Sequence, residues 1–170
     1  MNTHMIVNII NEEIEKVHCP VIHKHRKIMK KVREYATFDN FMANGGLTTH
    51  DLDKIAFGFS IEDITKLWPS QLGILHKTDL EEVYVEIQKS GESKKKWAKK
   101  IDTSKPIDVI FQDGKFWLED GHHRYVAATI LGEELNVVVE MKDDAVKKID
   151  PNLSFNQLMK CIYNQANEYK

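Results

Sequence analysis

Asp120, His122, His123 and Arg124 bring a carboxylate, two imidazoles and a guanidinium into five consecutive residues, with Gly121 among them. The run stands between the strand-like Lys115-Phe-Trp-Leu-Glu119 and a helical pattern that Gly132 closes. The first backbone N–H groups of a helix have no partner inside it, and the helix dipole makes that end attractive to anions. Arg124 and the paired histidines add donors and positive charge, so Gly121, His122, His123 and Arg124 are candidates for holding phosphate groups. Asp120 is the odd member. A carboxylate beside phosphate has a use when Mg²⁺ lies between them or when a hydroxyl must be oriented. A phosphate cradle with an acid is what a phosphotransferase needs.

The surrounding elements can be read from pattern. Asp113-Gly114 is a two-residue hairpin signal joining Pro106-Ile-Asp-Val-Ile-Phe111 to the strand before the turn. Val83-Tyr-Val-Glu-Ile87 alternates and predicts a strand, with Glu92 opening a helix that reaches Ile101 and buries Trp97. Leu135–Met141 is apolar enough to predict a buried strand. Before these, residues 1–77 predict helices. Ile6, Ile9, Ile10, Ile14 and Val17 form one apolar stripe, and a second helix spans 21–35. Thr48 and Asp51 predict a capping box, and Ser60 opens a short helix that Pro69 ends after Trp68. A last amphipathic helix follows the Ser154/Gln157 box, with Phe155, Leu158, Met159, Ile162 and Ala166 on one face. The fold class expected is α+β: a helical region over 1–77, a core of strand, helix, hairpin, helix and strand over 78–142, and a C-terminal helix over 143–170.

Composition narrows the classes. With 42% hydrophobic and 29% charged residues, the 170-residue chain suits a soluble globular protein. A net charge of −2 gives no global field for nucleic acid. No apolar run nears the roughly 18 residues of a membrane span, and a cytoplasmic location is expected. Cys19 and Cys161 stand far apart, which favours reduced thiols. His18, Cys19, His23 and His25 lack the spacing of a closed zinc site.

Residues 80–141 resemble the ParB/sulfiredoxin superfamily through Pro106-Ile107, the hairpin, Asp120-Gly-His-His-Arg124, the Ala-rich helix, Leu131-Gly132 and the Val-rich strand. Sulfiredoxins carry a redox cysteine at this turn, where His122 stands here. ParB proteins carry a Gly-Glu-Arg-Arg type turn and a DNA-binding module downstream, for which the tail after Gly132 is too short. The free-serine kinases, which use ADP or ATP, have the Asp-Gly-His-His-Arg turn and a catalytic Glu. The resemblance to this branch implies Glu92 as general base, Asp120 as Mg²⁺ ligand or acceptor-orienting residue, and the turn as nucleotide site. It implies a Mg²⁺-dependent phosphotransferase acting on a small-molecule hydroxyl. The alternative is a nucleotide-responsive binding or regulatory module without catalysis, touching DNA through Lys94, Lys95, Lys96, Lys99 and Lys100. A homodimer is compatible with either.

Overall fold

The structure is a computed structural model and describes residues 18–169. The apolar stripe ending at Val17 lies outside them. The chain divides into two compact units, one of residues up to Ala56 together with those from Ala145, the other Phe57–Asp144. The first unit thus joins segments from both ends of the chain, and residues 57–77 belong with the second.

In the first unit, α1 (Arg26–Val32), α2 (Phe38–Ala43), most of α3 (Thr49–Phe57), α7 (Ala145–Ile149) and α8 (Phe155–Glu168) enclose a core of their own. Helix α8 begins where the sequence predicts. Ser154 Oγ accepts from the N–H of Gln157 at 3.2 Å, and Gln157 Oε1 accepts from the N–H of Ser154 at 2.9 Å. Its apolar face sends Leu158, Met159, Ile162 and Ala166 into that core, while Phe155 stays partly exposed. Thr48 Oγ1 caps α3 by accepting from the N–H of Asp51, whose buried carboxylate pairs with Lys31 at 3.3 Å. The expectation of reduced thiols is corrected. Cys19 and Cys161 form a disulfide, with Cα atoms 5.7 Å apart across a sequence separation of 142. Only folding brings such distant residues within bridging range.

The second unit holds, among the described residues, one five-stranded sheet in the order β1-β5-β3-β4-β2. Its strands are β1 (Lys66–Leu67), β2 (Leu72–Ile74), β3 (Ile107–Gln112), β4 (Lys115–Asp120) and β5 (Leu135–Met141). β3 pairs antiparallel with β4 and parallel with β5, and β2 runs parallel to β4. The hairpin turns on Asp113 and Gly114, both at positive φ (54° and 74°), as a type I′ turn demands. Asp143 secures it by accepting from the N–H groups of both turn residues, at 2.8 and 3.0 Å. Helices α4 (Lys77–Ser90), α5 (Lys94–Lys99) and α6 (His122–Leu131) complete the unit. The fold is α+β, with helical regions before and after the mixed sheet.

Three local expectations change. Val83–Ile87 is helical, inside α4. Val83 and Ile87 stand four apart and are buried together, while Tyr84 and Val85 are exposed, so the decisive period was 3.6 and not 2. The segment from Ser60 is a 3-10 turn at Ile61–Asp63 followed by β1, and Pro69 opens a second 3-10 turn, Pro69–Gln71, instead of ending a helix. Strand β5 buries only one face: Leu135 and Val137 point inward, and Val138 is 58% exposed.

Candidate active site

Helix α6 is confined on two sides, which explains its alanines. Ala128 packs with Leu118, Ile107 and Leu135 on the sheet, while Val126 and Ala127 pack with Val83, Ile87, Trp97 and Ala98 of α4 and α5. Small side chains at these positions let both layers approach the helix closely. Its N-terminus is set by Gly121, whose φ is +102°. A Cβ there would stand 2.5 Å from Ile107 Cγ2, closer than real Cβ contacts come. Glycine is therefore required both for the conformation and for the space. The N–H of Tyr125 donates to the Gly121 carbonyl at 2.9 Å, so the N–H groups of residues 122–124 precede the first intrahelical bond.

Asp120, Gly121, His122, His123 and Arg124 all line one open cleft of about 710 Å³. Its cationic part adds Lys100 and Lys105, and its acidic part adds Asp79, Glu82, Glu86 and Asp102. Asp120 Oδ1 accepts from the N–H of Gly121 at 2.8 Å. Arg124 Nη1 donates to the Pro106 carbonyl at 3.1 Å, which fixes the guanidinium beside the cleft. His123 Nε2 hydrogen-bonds Glu86 Oε2 at 2.9 Å, with the Trp97 ring 6.3 Å away. Asp102 is held below the usual carboxylate range, first by the Ser104 hydroxyl, then by the Ser104 N–H, with Lys105 and Arg124 adding to the effect.

His122 differs from the other members. It is only 7% exposed, and its Nε2 is buried without a hydrogen-bond partner among the described residues. The His76 ring lies edge-on at 6.0 Å, and His76 in turn meets Glu119 at 3.5 Å. Leaving such a nitrogen unpaired costs on the order of 1–3 kcal/mol, so the position asks for a water or ligand atom.

Glu92 does not line the cleft. It precedes α5, which Ser93 caps, and pairs with Lys100, which does line the cleft. The hydrogen bond from Lys100 leads in holding the Glu92 carboxyl below its ordinary value, and the Lys100 and Lys96 charges reinforce it. The carboxylates that do reach the cleft from this side are masked in the sequence by the alternation of 83–87, which predicts a strand. Read as helix, Asp79, Glu82 and Glu86 fall at i, i+3 and i+7, on one face. That spacing was the available signal. Among the described residues, no group of three or more His, Cys, Asp or Glu could hold a metal ion. Cys19 is consumed in the disulfide, and His23 stacks on Tyr169.

No protein-family model matches the chain, and no curated protein matches it. Among solved structures, a crystal structure of sulfiredoxin from Arabidopsis thaliana is similar to part of it. The two are 20% identical over 49% of this chain and 93% of that one, with a TM-score of 0.25. Among the described residues no cysteine is free, and both disulfide partners belong to the helical unit. No helix among the described residues is long and apolar enough to cross a membrane.

Proposed function

We propose that the cleft binds ADP or ATP with Mg²⁺ and transfers a phosphoryl group to the hydroxyl of a small molecule. One observation carries the reading: His122, whose buried Nε2 has no hydrogen-bond partner among the described residues, stands at a helix N-terminus in a cleft that Arg124, Lys100, Lys105 and several carboxylates also line. Phosphoryl transfer asks mainly for positioning and charge neutralisation, and those side chains supply the positive half. The N–H groups of His122 and His123, with Arg124, hold the phosphates. Asp120 would be the carboxylate that holds Mg²⁺, and one carboxylate would suffice because this ion keeps several waters. When bound, Mg²⁺ supplies charge neutralisation on the group being transferred.

The acceptor's proton goes to a carboxylate. Glu92 holds the position that the resemblance gives to the base, although Ser90-Gly91 precede it where the family has Pro-His, and its pairing with Lys100 weakens it as a base. Glu86, hydrogen-bonded to His123 inside the cleft, is the better placed acceptor, and Glu92 then serves to hold Lys100. A second reading, a nucleotide-binding module without turnover, is favoured by the position of Glu92 outside the cleft. DNA contact is disfavoured there, since Asp79, Glu82 and Glu86 would face phosphates.

The test is nucleotide binding followed by turnover. ADP or ATP with Mg²⁺ should raise the melting temperature, and Arg124→Ala should weaken that binding at least tenfold. Glu86→Gln should retain binding while turnover with a panel of hydroxyl compounds falls about 10²- to 10⁴-fold. Glu92→Gln should lower affinity modestly through Lys100. Absence of any nucleotide-dependent shift would overturn the proposal, and nucleotide binding without transfer to any hydroxyl would select the second reading.

A further inference from the structure

The helical unit contains a cavity of about 450 Å³ whose described lining is His23, Arg26, Met29, Arg33 and Tyr169. Two guanidiniums and an imidazole line it, and the described lining includes no carboxylate. Glu168 lines the adjoining hollow instead. Arg26 opens α1 and Arg33 caps its end. Seven residues are about two helical turns, roughly 10 Å of rise, so both side chains belong to one face with Met29 between them. Met29 is buried and provides an apolar floor.

Arg33 Nη1 donates to the Ala166 carbonyl at 3.1 Å, which fixes one edge of the guanidinium. His23 stacks on Tyr169 with centroids 4.1 Å apart and planes 14° from parallel, making a flat side wall. That wall is anchored by Gln165, whose Oε1 accepts from the N–H groups of Ile22 and His23 at 2.8 and 3.0 Å. Its Nε2 donates to the Pro20 carbonyl at 2.7 Å. The Cys19–Cys161 bond ties the same segment to α8. Two guanidiniums sharing a hollow repel each other, and an oxyanion between them would convert that repulsion into charge-assisted, bidentate hydrogen bonds.

We infer that this cavity binds a small organic oxyanion whose aromatic body lies along the His23–Tyr169 wall. The site is independent of the cleft in the mixed unit and of its proposed chemistry. Its headgroup is a phosphate or a carboxylate, since the same fork of donors recognises both. Titration calorimetry of the full chain with phenyl phosphate, benzoate and inorganic phosphate tests it. Phenyl phosphate or benzoate should bind, and the tighter of the two identifies the headgroup. Arg26→Ala, at an exposed position, should weaken binding at least tenfold without lowering the melting temperature. Tyr169→Ala should remove the advantage of the aromatic anions over inorganic phosphate. Arg124→Ala, in the other unit, should leave the Arg26-dependent binding, and all binding of benzoate, unchanged. Failure of both aromatic anions to bind would overturn the inference, as would binding that survives Arg26→Ala and disappears with Arg124→Ala.

Discussion

Gly121→Ala is expected to destabilise the mixed unit by about 2–4 kcal/mol and to reduce nucleotide affinity at least tenfold. Two costs combine. An L-residue in the left-handed region costs about 1–2 kcal/mol, and here φ is +102°. The new methyl would also stand 2.5 Å from Ile107 Cγ2 and 2.8 Å from its Cβ. Either β3 moves away from the turn or the start of α6 swings, and both displace the N–H groups proposed to hold phosphate. Chemical unfolding measures the first effect and nucleotide titration the second. Pairing Gly121→Ala with Ile107→Ala isolates the contact: the double variant should lose less stability than the two single changes added together. Strict additivity would mean that the backbone conformation alone accounts for the loss.

Opening the Cys19–Cys161 bond is expected to lower the stability of the helical unit by about 3–5 kcal/mol, because the cross-link restricts a long loop in the unfolded chain. Urea unfolding of oxidised and reduced protein, followed by a probe in that unit, provides the comparison. Cys161→Ala should reproduce the reduced protein's midpoint and make it insensitive to reductant. Equal midpoints with and without reductant would show that the bond contributes nothing. The effect should be concentrated in the unit that contains the bond, leaving nucleotide binding in the mixed unit intact. The two variants therefore test different parts of the chain.

Much of the architecture was legible because it rests on local chemistry. The Ser154/Gln157 box, the Asp113-Gly114 turn and the Gly121 and Gly132 termini of α6 each satisfy a backbone requirement within a few residues. Val83–Ile87 misled because a short apolar run carries both periods, and only packing against Val126 and Ala127 selects the helix. That single change also relocated the acids: it put Asp79, Glu82 and Glu86 on the cleft and removed the reason to expect Glu92 there.

The sequence by itself determined the turn, since Asp120-Gly-His-His-Arg124 is contiguous and its helix-start chemistry needs no distant partner. Those five residues do line one cleft. Tertiary structure alone decided which acids and lysines join them, because Glu86 comes from α4 and Asp102 and Lys105 from the loop between α5 and β3. It also decided that Glu92 pairs with Lys100, that Cys19 meets Cys161, and that Arg26 and Arg33 share a hollow with Tyr169. Contacts between residues far apart in the chain depend on how whole elements pack, and no local pattern of residue types records that.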